Sequence, residues 1–418
     1  MRKILRKSYR WIQRVLVKKF ILPHFFSGDR LLDISWRDLE SKTDFQKRRV
    51  WVHAASVGEL ESLSHLVLKL AEQGYELVLT VMSESARESV ERLGKNLAPG
   101  ASLIYCGYAP WEGEWSVAFQ AFRPHLWITA KYEAWPDLWV SLKEQAIPLA
   151  IVSVHARRSL RIAKAFCWSL LGEYPFLILF PCNLSKKPAL HSLFPNAFIE
   201  VAGEPRWDRV YSRLNQGHFR AQELIHLCQN LKRPWGVIGS AWLEDLEFLS
   251  SILKSQKGTV WIVPHQVHLE EIDKIRANLK GLDLDFSQTS QMKKNIQILE
   301  DQNCLLVDEM GFLAELYSVA DWAYVGGGWG AGVHSTIEPA IYGIPLGVGP
   351  RGIEKFYEIE ELTESGQLQV LHSEEKLSEW WSFVLSCSED QKKSWKEQAQ
   401  SRLGATGKIL STLEKFCF

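Results

Sequence analysis

From about residue 45 onward, short apolar runs alternate with stretches of helical spacing, and no other feature restricts the possible folds as much. The first run, RRVWVHAAS, is followed by Leu60, Leu63, Leu66, Val67 and Leu70, which predict a helix over 59–73. YELVLTVMS and a helix from Glu84 to about 94 come next. SLIYCGY, a helix around Val117 to Phe122, HLWITAKYE, PDLWVSLKEQ, PLAIVSVHA and FLILFPC carry the pattern to Gly203. A polar, helical stretch over 207–233 interrupts it. The alternation then restarts with PWGVIGSAW, TVWIVPH, IQILED, CLLVDE, DWAYVGGG, a helix from about 335, and PLGVGP. Such order predicts parallel sheets with helices on both faces. Two blocks of it in 418 residues predict an α/β chain of two doubly wound, Rossmann-like domains facing across a cleft. The expected divisions are 29–206 for the first domain, 207–233 for a linker, 234–388 for the second domain and 389–418 for closing helices.

Residues 1–28 stand apart. They carry Arg2, Lys3, Arg6, Lys7, Arg10, Arg14, Lys18 and Lys19 and no acid, with Leu5, Tyr9, Ile12 and Leu16 at helical spacing and Trp11, Val15 and Phe20 widening the stripe. The cations interrupt every apolar run well short of the ~18 residues of a spanning helix, and they break up the core of a signal peptide. A basic amphipathic helix lying on an anionic membrane surface is expected, and docking on the protein's own core is the alternative. Trp111, Trp115, Phe166 and Trp168 could extend that lipid-facing surface or pack in a core.

Over the whole chain charge is balanced, with 49 Lys plus Arg against 49 Asp plus Glu, so net charge makes no case for a nucleic-acid partner. The seven cysteines form no C-x-x-C pair, which argues against a zinc site or a disulfide framework and fits a reducing cytoplasm. His265 and His268 in HQVH are read as surface or cleft polar residues and not as metal ligands. Asp283 and Asp285 in DLD read as alternation on an exposed strand. Neither metal nor cofactor is expected.

Ligands of doubly wound sheets bind outside the carboxyl ends of the strands. Gly58-Glu59, YEAWPD, GSAW, VPHQ, VDE and GGGWG all fall at such ends. Gly239-Ser240 opens a helix and could seat a phosphate on free N–H groups. Gly326, Gly327 and Gly328 either admit a ligand close to the backbone or serve a tight turn. Glu338, on the next helix, suits the hydroxyls of a ribose. Glu59 is either a catalytic carboxylate or a first-turn acid favouring the helix dipole.

HAASVGE, YEAWPD, VSVHARRS, GEPRWD, GSAWLEDLE and GGGWGAGVHSTIEPAIYGIPLGVGP, in that order across roughly 45–370, resemble the Kdo transferases. These are GT-B glycosyltransferases that move 3-deoxy-D-manno-octulosonic acid (Kdo) from CMP-Kdo to the lipid A precursor. The resemblance implies a metal-independent, inverting enzyme of lipopolysaccharide assembly, peripheral on the cytoplasmic face of the inner membrane. It implies Glu59 as catalytic base and Glu133 as a second carboxylate of the site. Donor contacts would fall on Arg206, Gly239, Ser240, His265, Gly327, Gly328, His334, Ser335 and Glu338. Acceptor contacts would fall on Ser56, Gly58, Trp135 and Arg157. As is usual for this fold, the closing helices would return to the first domain.

The chain departs from the family pattern in four places. G-S-T-H is replaced by Gly239-Ser240-Ala241-Trp242, and V-P-R-H by Val263-Pro264-His265-Gln266, which removes an arginine. H-N-x-L-E-P becomes His334-Ser335-Thr336-Ile337-Glu338-Pro339. The acid that opens E-T-E-L-W-P-N becomes Lys131. Use of another nucleotide sugar, a UDP-sugar epimerase and a weakly active or non-catalytic paralogue are the competing expectations.

Overall fold

The computed structural model describes residues 44, 46–110, 114–131, 135–156, 160–161, 164, 174–214, 217–292 and 303–417. The basic segment 1–28, Trp111, Phe166, Trp168 and the run IQILED all lie outside the described residues. The chain divides into two compact units, Met1–Arg209 with Leu403–Phe418, and Val210–Arg402.

In the first unit the order is β1 (Arg49–Ala54), α1 (Val57–Glu72), β2 (Glu76–Val81), α2 (Glu84–Lys95), β3 (Ser102–Tyr108), α3 (Trp115–Phe122) and β4 (Leu126–Ala130). It continues through α4 (Pro136–Glu144), β5 (Leu149–Val152), β6 (Leu177–Phe180), α5 (Lys187–Leu193), β7 (Phe198–Ile199) and α6 (Pro205–Leu214), whose last residues belong to the second unit. The strands form a parallel sheet in the order β3-β2-β1-β4-β5-β6-β7. β1, β2 and β4 are buried along their whole length, which is why they read as continuous apolar runs and not as alternating ones. One face packs α1 through Leu63, Leu66, Val67 and Leu70. The other carries an aromatic cluster in which Trp51 lies 5.2 Å from Trp127, with the rings of Trp115, Phe119 and Phe122 edge-on or tilted around them. Trp115 is thus a core residue, 2% exposed.

The second unit holds α7 (Phe219–Leu227), β8 (Trp235–Ala241), α8 (Leu243–Phe248), α9 (Ser250–Ser255), β9 (Thr259–Pro264), α10 (Leu269–Gly281), β10 (Phe286–Gln288), β11 (Cys304–Leu306) and α11 (Leu313–Leu316). β12 (Trp322–Val325), α12 (Ile337–Ala340), β13 (Leu346–Val348), α13 (Tyr357–Glu364), β14 (Leu368–Val370), α14 (Glu374–Ser386) and α15 (Glu389–Ser401) complete it. Its parallel sheet runs β10-β11-β9-β8-β12-β13-β14. The helix expected from about 335 is only the short α12, because Pro339 and Gly343 (φ +73°) leave little room for a longer one. Asp283 sits in a left-handed turn ahead of the edge strand β10.

The closing helices separate. α15 stays with the second unit, where Trp395 donates its Nε1–H to the Ser365 carbonyl at 3.0 Å. α16 (Ala405–Cys417) packs in the first unit, with Ile409, Leu410 and Leu413 joining the core of α1. Asp208 fastens its start: the carboxylate accepts from Gly404 N at 2.6 Å and Thr406 N at 2.7 Å. Removing that cap in Asp208→Ala is expected to cost about 1–2 kcal/mol, read as a lower melting temperature. An unchanged transition would show that the apolar face alone holds α16.

Candidate functional site

The carboxyl edge of the first sheet collects charged side chains from neighbouring strands. Glu59 stands at the third position of α1 with 8% exposure. Its Oε2 accepts from Ala55 N at 2.7 Å and Ser56 N at 3.2 Å, so the carboxylate folds back over the turn that precedes its own helix. The Ser56 amide belongs to the group a helix start leaves unsatisfied, and the Ala55 amide lies just before it. Both readings of Glu59 therefore apply to one side chain: it caps α1, and the same bonds fix it at a strand end. Ser56 is the exposed N-cap residue, and the Gly58 carbonyl lies 3.5 Å from Lys131 Nζ.

Lys131 follows β4 and Ser153 follows β5, both with left-handed backbone (φ +59° and +52°), which few non-glycine residues adopt. Around them lies Glu204, 1% exposed, whose Oε1 is 3.2 Å from Arg206 Nε and whose Oε2 accepts from the Cys182 thiol at 3.6 Å. Burial pushes the Glu204 carboxyl upward, but the charges of Arg206 and Lys131 and the Ser153 hydroxyl outweigh it and hold it below the usual range. Burial and Glu204 together push the Cys182 thiol well up, so it is a protonated donor and no nucleophile. Arg206, assigned by resemblance to the donor, is thus a buried partner of Glu204 in the first unit, 4% exposed. Trp135 is the half-buried N-cap residue of α4, packed on the aromatic cluster. Glu133 and Arg157 lie outside the described residues.

In the second unit the turn after β8 differs from the expected phosphate seat. Asp245, 0% exposed, accepts from Trp242 N at 3.0 Å, Gly327 N at 2.7 Å and Tyr324 Oη at 3.2 Å. The amide at the start of α8 is therefore engaged by an internal carboxylate. Burial raises the Asp245 pKa, with the amides of Gly327 and Trp242 opposing. The glycines answer to this packing. A Cβ on Gly326 would meet the Ser240 carbonyl and Asp245, and one on Gly328 would meet the Gly349 backbone. Gly327 has φ +91°. Gly239 accepts from Gly326 N at 2.8 Å, which ties the β8 and β12 loops together, and Ser240 takes φ +51°.

Three rings meet above these loops. His265, after β9, stacks on Trp242 with centroids 4.9 Å apart and on His334 at 4.4 Å, with planes within 20° and 21°. Trp242 Nε1 donates to His334 Nε2 at 3.4 Å. Burial lowers the His265 pKa; burial and the neighbouring His265 push His334 down to about 4, so both rings are neutral at pH 7. Trp242 and His265 occupy two of the positions where the chain departs from the Kdo-transferase pattern that it resembles. Ser335 is half-buried beside them. Glu338, on α12, lies 3.6 Å from Arg213 Nη1, and Arg213 also reaches Glu315 at 3.6 Å and donates to the Gly311 carbonyl at 2.9 Å.

Sequence reasoning did not single out Glu204, Asp245 or Arg213. Asp245 had a legible signal: it stands three residues after a helix N-cap, where an acid reaches back to the cap amide. Glu204 lay inside GEPRWD without any periodicity to mark it as buried, and Arg213 acts only through tertiary contact.

A parallel α/β architecture built twice, with functional groups at the carboxyl ends of both sheets, defines the GT-B class of fold. A UDP-GlcNAc 2-epimerase from Neisseria meningitidis, solved with UDP-GlcNAc bound, shares it at TM-score 0.58 over 88% of this chain and 100% of that one, with 12% identity. Residues 33–204 match the family described as 3-deoxy-D-manno-octulosonic-acid transferase (kdotransferase). A 3-deoxy-D-manno-octulosonic acid transferase of Chlamydia muridarum is 25% identical over 82% of this chain and 79% of its own length. That of Aquifex aeolicus is 27% identical over 73% and 76%. The chain is thus similar to the Kdo transferases over most of its length, with the family match itself confined to residues 33–204.

Asp245→Ala would strip acceptors from the Trp242 and Gly327 amides in a dry site. It is expected to cost about 2–4 kcal/mol in denaturant unfolding, with Asp245→Asn milder because one oxygen remains. A change under 0.5 kcal/mol would show that the loops hold together without the carboxylate.

Proposed function

We propose that this protein is a glycosyltransferase that moves Kdo from CMP-Kdo to the lipid A precursor in lipopolysaccharide assembly. The observation that carries the reading is similarity, along most of the chain, to proteins named as Kdo transferases. Glu59 supports it physically. A carboxylate held by the Ala55 and Ser56 amides keeps one orientation, as a general base must if it is to meet an acceptor hydroxyl. In the proposed step the acceptor oxygen forms a bond to the anomeric carbon while the bond from that carbon to the CMP phosphate breaks. The proton passes to Glu59, CMP leaves with the electron pair, and attack from the opposite face inverts the centre. Glu133 and Arg157, with Ser56, Gly58 and Trp135, are proposed around the acceptor.

Donor binding is proposed for the second unit, with Glu338 accepting from the ribose hydroxyls and held in place by Arg213. The loops of Gly239, Ser240, Gly327 and Gly328, with Ser335, would shape the nucleotide's seat. Arg206, which the resemblance assigns to the donor, holds Glu204 within the first unit. Among the described residues no helix is long and apolar enough to cross a membrane. Attachment to the cytoplasmic face of the inner membrane is proposed for the eight cations of residues 2–19.

Glu59→Gln keeps an acceptor for the Ala55 and Ser56 amides but cannot take a proton. It should fold, bind CMP like the parent, and transfer Kdo about 10²–10⁴ times more slowly in a product-mass assay with CMP-Kdo and the lipid A precursor. Full turnover in a variant that melts many degrees lower would make Glu59 a cap and nothing more. A chain starting at Asp29 should lose most of its binding to anionic liposomes, and the full chain should release as salt rises. Equal pelleting of the two would remove the basic segment from the proposal.

A further inference from the structure

His265 and His334 are two imidazoles in face contact, half-buried, at the carboxyl edge of a doubly wound sheet where ligands bind. Among the described residues neither ring has a carboxylate partner. Several charged groups stand on the elements packed against the pair. Asp245 on α8 is taken by amides and Tyr324, and Glu244 approaches Gly330. Lys355 lies beside Gly332, Arg351 is on the adjoining loop, and Glu338 on α12 meets Arg213. Two neutral rings are a poor permanent anion site, yet nothing nearby satisfies a proton once one arrives.

The three-ring geometry decides where that proton would go. Trp242 Nε1–H points at His334 Nε2, so this nitrogen is an acceptor and His334 stays neutral while the bond is made. His265 has no such restraint. Its face lies on Trp242, a surface that favours a cation over an uncharged ring. A second proton on His334, 4.4 Å away, would meet the first charge at close range. The pair therefore has room for one proton, and its place is His265.

We propose that His265, stacked against the hydrogen-bonded pair of Trp242 and His334, takes up one proton when the phosphate of a nucleotide binds at this edge, supplying by protonation the cation that an arginine would carry permanently. This rests on the nucleotide-donor reading above and names the group that neutralises the donor's phosphate. The low pKa of the empty site fits it: without an anion, burial keeps the rings uncharged. The sign follows. The empty fold holds these protons less well than the unfolded chain, so stability contributed by the neutral rings is lost as pH falls from 6.5 toward about 4. Bound phosphate reverses the preference, so affinity rises as pH falls.

The test is calorimetry of the full chain with CMP in buffers of different ionisation enthalpy, at pH 7.5 and 6.0, with cytidine as the phosphate-free control. CMP should bind with uptake of close to one proton and about tenfold more tightly at pH 6.0, since one coupled proton is worth up to tenfold per pH unit. Cytidine should show neither effect. His265→Gln should lose the uptake and flatten the profile, and His265→Arg should bind at pH 7.5 without uptake. The ionisation of CMP itself is common to parent and variants and cancels. CMP binding with equal proton uptake in parent and His265→Gln overturns the proposal and leaves the donor reading intact. Preference for UDP over CMP, with uptake through His265, overturns the donor reading and leaves the proposal intact. No binding of CMP, UMP or UDP at either pH overturns both.

Discussion

A carboxylate that folds back onto the amides of its own strand-to-helix turn recurs in both units, and the rest of each carboxyl edge depends on it. A parallel sheet delivers its strands to the same edge, where each chain must turn into a helix and leave N–H groups unpaired. Glu59 takes the Ala55 and Ser56 amides in the first unit; Asp245 takes Trp242 and Gly327 in the second. Each stands at the third position of the helix after an interior strand of its sheet, and each is buried. The difference is reach. Glu59 serves its own turn, while Asp245 also binds the β12 loop and so locks two strand ends together.

The two edges then diverge in electrostatics. The first is ionic: Glu204 is kept charged in a dry site by Arg206 and Lys131. Such buried pairs add little net stability, but losing one partner strands the other, so the network fixes geometry more than it strengthens the fold. Lys131 belongs to it, which explains how a base is accommodated where the family pattern has an acid. The second edge carries an aromatic group, with Trp242 and two neutral imidazoles, His265 and His334, in contact. Two departures from the family pattern that lie apart along the chain, Trp242 and His265, are in contact in space.

The alternation of apolar runs and helical spacing made both sheets legible, because strands buried on both faces must be apolar throughout. Periodicity could not show how the chain closes: α15 and α16 look alike in sequence, but only α16 joins the first unit, fastened by Asp208. The glycines of GGGWG were legible as necessary, and their reason was not. They are required first by contacts among the loops of β8, β12 and β13.

By itself the sequence determined the double α/β architecture, the family likeness and the place of Glu59, because each is written in local spacing or in a motif of a few consecutive residues. Tertiary structure alone decided which groups answer one another: Glu204 with Arg206 and Lys131, Asp245 with Gly327, and His265 with Trp242 and His334. These partners come from different strand ends, many residues apart. Charge state and orientation at such a site depend on distance and burial, and neither exists until the strands have been brought side by side.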